Sequence, residues 1–218
     1  MTDKLLTVTE TMGLLQSLVS LKKPLNFDES KQVLRFADND HSPCALTIPL
    51  ALPKLSGDSA GVLLQQIETA MHIYTLILIQ AGAAALGYFV GGELVHHRVI
   101  KRYMVRKKQG KSQIKHLKTK GKSRLGSRIR LRNSILFFEG INQTLTEWDI
   151  SSQSESILMS VPINLRSHLF GSNVPVPFKK KDPRIKKIPV DIRVPSFKEL
   201  SHINWLVSRG RLIRLAES

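Results

Sequence analysis

The sequence predicts an α/β fold, a mixed β-sheet flanked by helices. Three observations predict it: short apolar runs that alternate with amphipathic stretches, an uncharged run over residues 69–92 that divides into two strand-like halves, and a hydrophobic share of 42% in 218 residues. That share and that length are enough for a buried core and exclude a disordered chain.

Along residues 5–21 the apolar side chains Leu5, Val8, Met12, Leu15 and Val19 recur at steps of three and four, which predicts an amphipathic helix. Pro24 and Asn26 break the pattern. Residues 33–36 and 44–48 then read as short strands around the turn-rich residues 38–43. Residues 1–55 are thus expected to form an N-terminal helix with short strands, packed on a main domain of residues 56–218. Residues 56–59, with two serines and an aspartate, open a second helix that carries Val62, Leu63, Ile67 and Ala70. The uncharged run that follows approaches the ~20 apolar residues of a membrane helix. His72, Gln80 and the glycines Gly82, Gly87, Gly91 and Gly92 argue instead for two buried strands, and residues 73–79, rich in β-branched and aromatic side chains, supply the first. Gly91-Gly92 marks a hairpin turn, after which residues 94–100 resume as strand. From Gly126 onward Ile129, Ile135, Leu136, Ile141, Leu145 and Trp148 predict a long helix. Residues 157–161 read as a buried strand and 165–170 as a short helix. Pro175, Pro177, Pro183, Pro189 and Pro195 punctuate a connector, and Ser196 with Glu199 proposes a capping box for a helix that closes the chain through Leu200, Ile203, Trp205, Leu206 and Leu212.

Charge is the strongest functional signal. There are 33 Lys and Arg against 17 Asp and Glu, a net +16, which points to a polyanionic partner. Between Arg98 and Arg132 stand fifteen basic residues and no acidic one, whereas a solvated helix face normally mixes signs. Phosphate contact is therefore expected of Arg106, Lys107, Lys108, Lys115, Lys118, Lys120, Lys122, Arg124, Arg128, Arg130 and Arg132. Gly110, Gly121 and Gly126 in the same segment make residues 104–125 a mobile basic loop that orders on its partner. Lys179, Lys180 and Lys181, with Arg184, Lys186 and Lys187, form a second basic patch. The single Cys44 excludes an intramolecular disulfide and a Cys-based zinc site. It fits a reducing compartment, and residues 1–21 lack the apolar core of a secretion signal, so a cytoplasmic protein is expected. His96 and His97 are adjacent on a strand, face opposite sides and cannot chelate one ion as a pair. No metal and no cofactor is expected. Tyr103 reads as partial core or as a ring that stacks on a nucleotide, and Trp148 and Trp205 as packing.

Residues 81–89, Ala-Gly-Ala-Ala-Ala-Leu-Gly-Tyr-Phe, and 101–113, Lys-Arg-Tyr-Met-Val-Arg-Lys-Lys-Gln-Gly-Lys-Ser-Gln, resemble the catalytic segment of the release-factor-like domain of the Vms and ankyrin-repeat-zinc-finger peptidyl-tRNA hydrolases. The likeness continues through Gly126-Ser127-Arg128-Ile129-Arg130 to Trp148, through residues 157–170 and through 182–200, so it covers roughly residues 70–208. The family's domain is similar to the middle domain of the archaeal and eukaryotic class I release factor, where a Gly-Gly-Gln loop enters the peptidyl transferase centre. Here Lys111 stands where a second glycine is common, and Ala83 and Ala84 replace a bulkier pair. A minimal, single-module member is expected.

The resemblance implies a release-factor middle-domain-like fold and a monomer whose partners are peptidyl-tRNA and the rRNA of the large ribosomal subunit. It implies catalysis through Gln113, on a loop tip formed by Gly110, Lys111 and Ser112, with Arg102 as its helper. Glutamine has no useful pKa, so Gln113 would position rather than ionise. In one version it orients a water at the peptidyl ester, its backbone N–H supporting the oxyanion. In the other it aligns a ribose 2′-hydroxyl with the adjacent phosphate near the tRNA 3′ CCA end, while Arg102 neutralises that phosphate. Two rivals stand beside this reading: a non-catalytic tRNA- or ribosome-binding protein of the same fold, and a membrane protein with a basic juxtamembrane segment.

Overall fold

The computed structural model describes residues 2–103 and 122–214. The first layer begins with β1 (Thr2–Leu6) and α1 (Val8–Ser20), continues through β2 (Leu25–Asp28), β3 (Val33–Ala37) and β4 (Pro43–Thr47), and ends with α2 (Ala60–Thr69). Thr7 caps α1 through a complete box: its hydroxyl accepts from the Glu10 N–H, and the Glu10 carboxylate accepts from the Thr7 N–H at 2.8 Å. Ser59 caps α2 by accepting from the Val62 N–H. Both helices lay apolar stripes on one face of the sheet, where Leu15, Leu34, Leu46, Leu55, Leu63 and Ile67 are fully buried.

The second layer carries β5 (Ile73–Gln80), β6 (Ala83–Val90) and β7 (Glu93–Lys101), then α3 (Lys122–Glu147), the single turn α4 (Ile150–Gln153), β8 (Ser156–Ser160), α5 (Ile163–Phe170), β9 (Ile185–Lys187) and α6 (Phe197–Val207). Its sheet runs β7-β6-β5-β8-β9, with β5, β8 and β9 parallel and the β5-β6-β7 meander antiparallel. Being covered on both sides, β5 is buried from Ile73 to Ile79, and Thr75 is the one polar residue in that stretch apart from the Tyr74 hydroxyl. Ile73, Ile77 and Ile79 meet α3 and α5, while Tyr74, Leu76 and Leu78 meet α6. Gly91 and Gly92 both hold positive φ in the two-residue turn between β6 and β7, as that hairpin requires. Gly87 allows a close approach, since a Cβ there would fall 2.7 Å from the Phe89 ring, which stacks on Tyr74 at 5.0 Å.

A last strand, β10 (Gly210–Arg214), returns to the first layer and gives its sheet the order β1-β10-β4-β3-β2, antiparallel throughout. This corrects the expected terminal helix: Leu212 pairs with Lys4 and Leu46 in the sheet. α2 and β10, both within residues 56–218, pack with the strands of residues 2–47. The layers are joined by hydrogen bonds from the Ala51 N–H to the Val207 carbonyl at 2.9 Å, from Ser156 to the Leu52 carbonyl at 3.0 Å, and from the Lys186 ammonium to the Leu50 and Leu52 carbonyls. Burial pushes that ammonium down to about 8.

Other differences are local. Residues 5 and 6 belong to β1 rather than to the first helix. β2 and β9 fall where no strand is expected, and α3 starts four residues before Gly126. Ser196 accepts from the Glu199 N–H at 3.2 Å, but the Glu199 carboxylate accepts from the Arg193 N–H at 2.7 Å, so only half of the expected box forms. The uncharged run is the β5-β6 hairpin. No helix among the described residues is long and apolar enough to cross a membrane.

Candidate nucleic-acid interface

β7 is an edge strand, and its last residues set the root of the basic segment. The Arg102 N–H donates to the Gly82 carbonyl at 2.9 Å, which ties the chain to the β5-β6 turn. From the other side the Asn133 amide on α3 donates to the Tyr103 carbonyl at 2.9 Å. The root is therefore held by its backbone, and the Arg102 side chain is exposed. Tyr103 is 51% exposed, which corrects the partial-core reading and leaves its ring available for stacking.

α3 crosses the sheet edge as it passes β7. Its C-terminal half is anchored: Phe137, Ile141 and Leu145 are fully buried, and Arg98 on β7 donates to Thr144 at 2.7 Å and to Glu147 at 3.2 Å. Its N-terminal part, residues 122–132, extends ~16 Å of helix beyond the Asn133 contact. No acidic residue stands in its first turn, and Arg124, Arg128 and Arg132 recur at steps of four. Cations near a helix N-terminus oppose the macrodipole, and like charges at i,i+4 repel, each by a few tenths of a kcal/mol. The arrangement costs helix stability and raises the positive potential in front of it. Among the described residues none of Lys101, Arg102, Arg128, Arg130 and Arg132 forms an ion pair.

Arg128 and Arg132 are exposed and Arg130 is half-buried. Lys122 and Arg124 fall in the opening turns of α3. Gly110, Lys111, Ser112, Gln113, Arg106, Lys107, Lys108, Lys115, Lys118 and Lys120 lie outside the described residues. Reasoning from the sequence missed Asn133, whose role depends on helix-to-strand packing, and gave Arg98 to the phosphate-facing segment although Thr144 and Glu147 occupy it. His96 and His97 do point to opposite faces, His96 towards Trp148 at 5.8 Å between ring centroids and His97 towards Phe197 at 4.8 Å. Trp205, read as packing, is 46% exposed and carries the Arg209 guanidinium 4.4 Å above its ring.

Fold and interface together define an α/β protein that holds the root of a long basic segment at a sheet edge and exposes cations beside it. Comparison with known proteins then fixes the family. Residues 74–213 match the Bacteroidetes VLRF1 release factor family, and the chain belongs to it. It is 28% identical over 151 residues to the protein named tRNA endonuclease ANKZF1 from Mus musculus, and equally to its namesake from Homo sapiens. Each alignment covers 67% of this chain, which spans about a fifth of those relatives: 20% of the mouse protein and 21% of the human one. Among solved structures, the Vms1 mitochondrial localization core shares the fold, with a TM-score of 0.52 at 15% identity over 95% of this chain and 83% of that one. The family expected from residues 81–89 and 101–113 is thus the family found.

Proposed function

We propose that this chain is a ribosome-associated quality-control release factor that acts in the cytoplasm on peptidyl-tRNA in stalled or obstructed large ribosomal subunits. It frees the nascent chain by cutting the tRNA near its 3′ CCA end. The observation that carries the reading is the exposed Arg102, in no ion pair among the described residues and fixed by its backbone N–H on the Gly82 carbonyl, at the root of the segment that contains Gln113. The tRNA endonuclease names of the ANKZF1 relatives favour the phosphodiester over the peptidyl ester.

In this mechanism Gln113 aligns a ribose 2′-hydroxyl with the neighbouring phosphorus through its side-chain amide, and Gly110 gives the tip the backbone freedom to enter a crowded RNA cavity. The 2′-oxygen bonds to phosphorus as its proton passes to water, the P–O5′ bond breaks to leave a 2′,3′-cyclic phosphate, and the leaving 5′-oxygen takes up a proton from water. Arg102 neutralises the charge that accumulates on the phosphate oxygens. The cations of α3 hold the acceptor stem without reading its sequence.

The test incubates the protein and its Gln113→Ala variant with large subunits that carry labelled peptidyl-tRNA. Release by the parent and not by the variant is the expected result. If both bind the subunits tightly and neither releases a chain, the protein is a binding module and the catalytic reading is wrong.

A further inference from the structure

The parallel strands β5 and β8 are neighbours, but the chain leaves them in opposite directions: from β5 it turns to β6, and from β8 it crosses through α5 to β9. Where two such connections part, a crevice opens beyond the C-terminal ends of the strands, the usual place for ligands in α/β sheets. A cavity of about 470 Å³ lies there, bounded by Ile79 and Gln80 at the end of β5 and by Ser160 and Val161 at the end of β8 and just beyond it.

Its wall carries three charged groups. Arg166, on α5, and Lys187, the last residue of β9, both line it, as does the carboxylate of Asp191. The Arg166 Nε donates to the Val161 carbonyl at 3.3 Å, which fixes the guanidinium at the cavity and leaves its two terminal amino groups without a protein partner among the described residues. Neither cation is in an ion pair among the described residues. At the rim α5 starts after Pro162 with no side-chain cap, and its first residue, Ile163, is 87% exposed. A large apolar side chain that exposed, beside two cations and a carboxylate, suits a ligand with an anionic group, a polar ring and an apolar face.

We propose that this cavity is a ribonucleotide subsite. Arg166 and Lys187 hold a phosphate, Asp191 accepts a hydrogen bond from a ribose hydroxyl, and the base lies against Ile163 and the apolar floor. The subsite lies at the same end of the sheet as the root of the basic segment. Gln80 on β5 forms the cavity's near wall, two residues before the Gly82 that accepts the Arg102 N–H, so that wall stands about two strand spacings from the root on β7, ~10 Å. A single-stranded RNA end that passes Arg102 reaches the cavity within a few nucleotides. The inference rests on the release-factor reading only for the identity of that RNA.

The test measures fluorescence anisotropy of the full chain with three labelled trinucleotides of sequence CCA: 5′-phosphorylated RNA, the same RNA without its phosphate, and 5′-phosphorylated DNA. Arg166→Ala combined with Lys187→Ala should weaken the phosphorylated RNA about tenfold or more and leave the unphosphorylated one within twofold. Lys187→Glu, at an exposed side chain, should act in the same direction, and Asp191→Ala, which removes the acceptor, should abolish the preference for RNA over DNA. Arg128→Ala with Arg132→Ala, on α3, reports the general effect of lost charge. Unchanged binding in the Arg166 and Lys187 variants, or equal loss for all three probes, overturns the subsite. Failure of the release reading looks different: the parent protein cuts no tRNA while the phosphorylated trinucleotide still binds at the cavity.

Discussion

Arg98 and Arg102 stand four residues apart and have opposite fates. Arg98 points from β7 to Thr144 and Glu147 on α3, whereas Arg102 is held by its backbone and its side chain is exposed. Arg102→Ala should therefore lower tRNA cleavage by ~10²-fold, the usual loss when one charge-stabilising donor is removed, with little change in thermal midpoint. Arg98→Ala should leave the cleavage rate alone and lower stability by about 0.5–1 kcal/mol, because its ion pair is half exposed. Chemical denaturation and single-turnover cleavage of the two variants separate the roles. The sequence shows both residues as cations in one run. What distinguishes them is a partner 46 residues further on, visible only once α3 has packed. Asp182 is a second case in which the neighbour decides. The Arg184 guanidinium grips its carboxylate at 2.8 Å and holds it below the usual carboxylate range, and the same arginine donates to the Ser151 and Ser154 carbonyls. A carboxyl group depressed on folding stabilises fully above its unfolded value of ~3.9, and the contribution is lost as the pH falls through the folded value. Thermal midpoints between pH 2 and 6 should fall more steeply for the parent than for Asp182→Asn.

α3 is a helix whose charge pattern opposes its own stability. Its basic N-terminal part faces the wrong end of the macrodipole, and its buried Phe137, Ile141 and Leu145 provide the anchorage that lets it form nonetheless. Opposite signs for binding and stability follow. Arg128→Gln and Arg132→Gln should each weaken tRNA binding and reduce the slope of log K against log salt by about 0.7–1, while the thermal midpoint holds or rises. A falling midpoint with an unchanged salt slope would make these arginines structural. The helix is legible in the sequence from its apolar period, and the β6-β7 hairpin from Gly91-Gly92, because each signal is local. The strands β1, β2, β9 and β10 are not. They are three to five residues long, and β1, β9 and β10 owe their existence to partners remote in the chain, as β1 does to β10, while β2 is a four-residue strand without a buried residue.

The fold closes by joining its two ends. β10 lies between β1 and β4, and Gly210 fits there because any Cβ would meet the Thr47 carbonyl oxygen at 2.9 Å. We propose that residues 2–69 and 210–214 form one supporting unit, and that β5 through α6 form the unit that carries the basic segment. Gly210→Ala should cost about 1–3 kcal/mol of stability, seen in chemical denaturation, by forcing β10 away from β4. Sequence reasoning reached the class of fold, the strand meander and the family, since these rest on strong local patterns. It did not reach the return of the chain end or the cavity at the ends of β5 and β8, both of which depend on strand order. The central claim is that nascent chains are freed by a cut within tRNA. The direct measurement is the mass of the tRNA 3′ end after the protein acts on large subunits charged with peptidyl-tRNA. A tRNA shortened at its CCA end, with the missing nucleotides still on the released peptide, is the predicted result. Intact CCA with a free peptide carboxylate would contradict it.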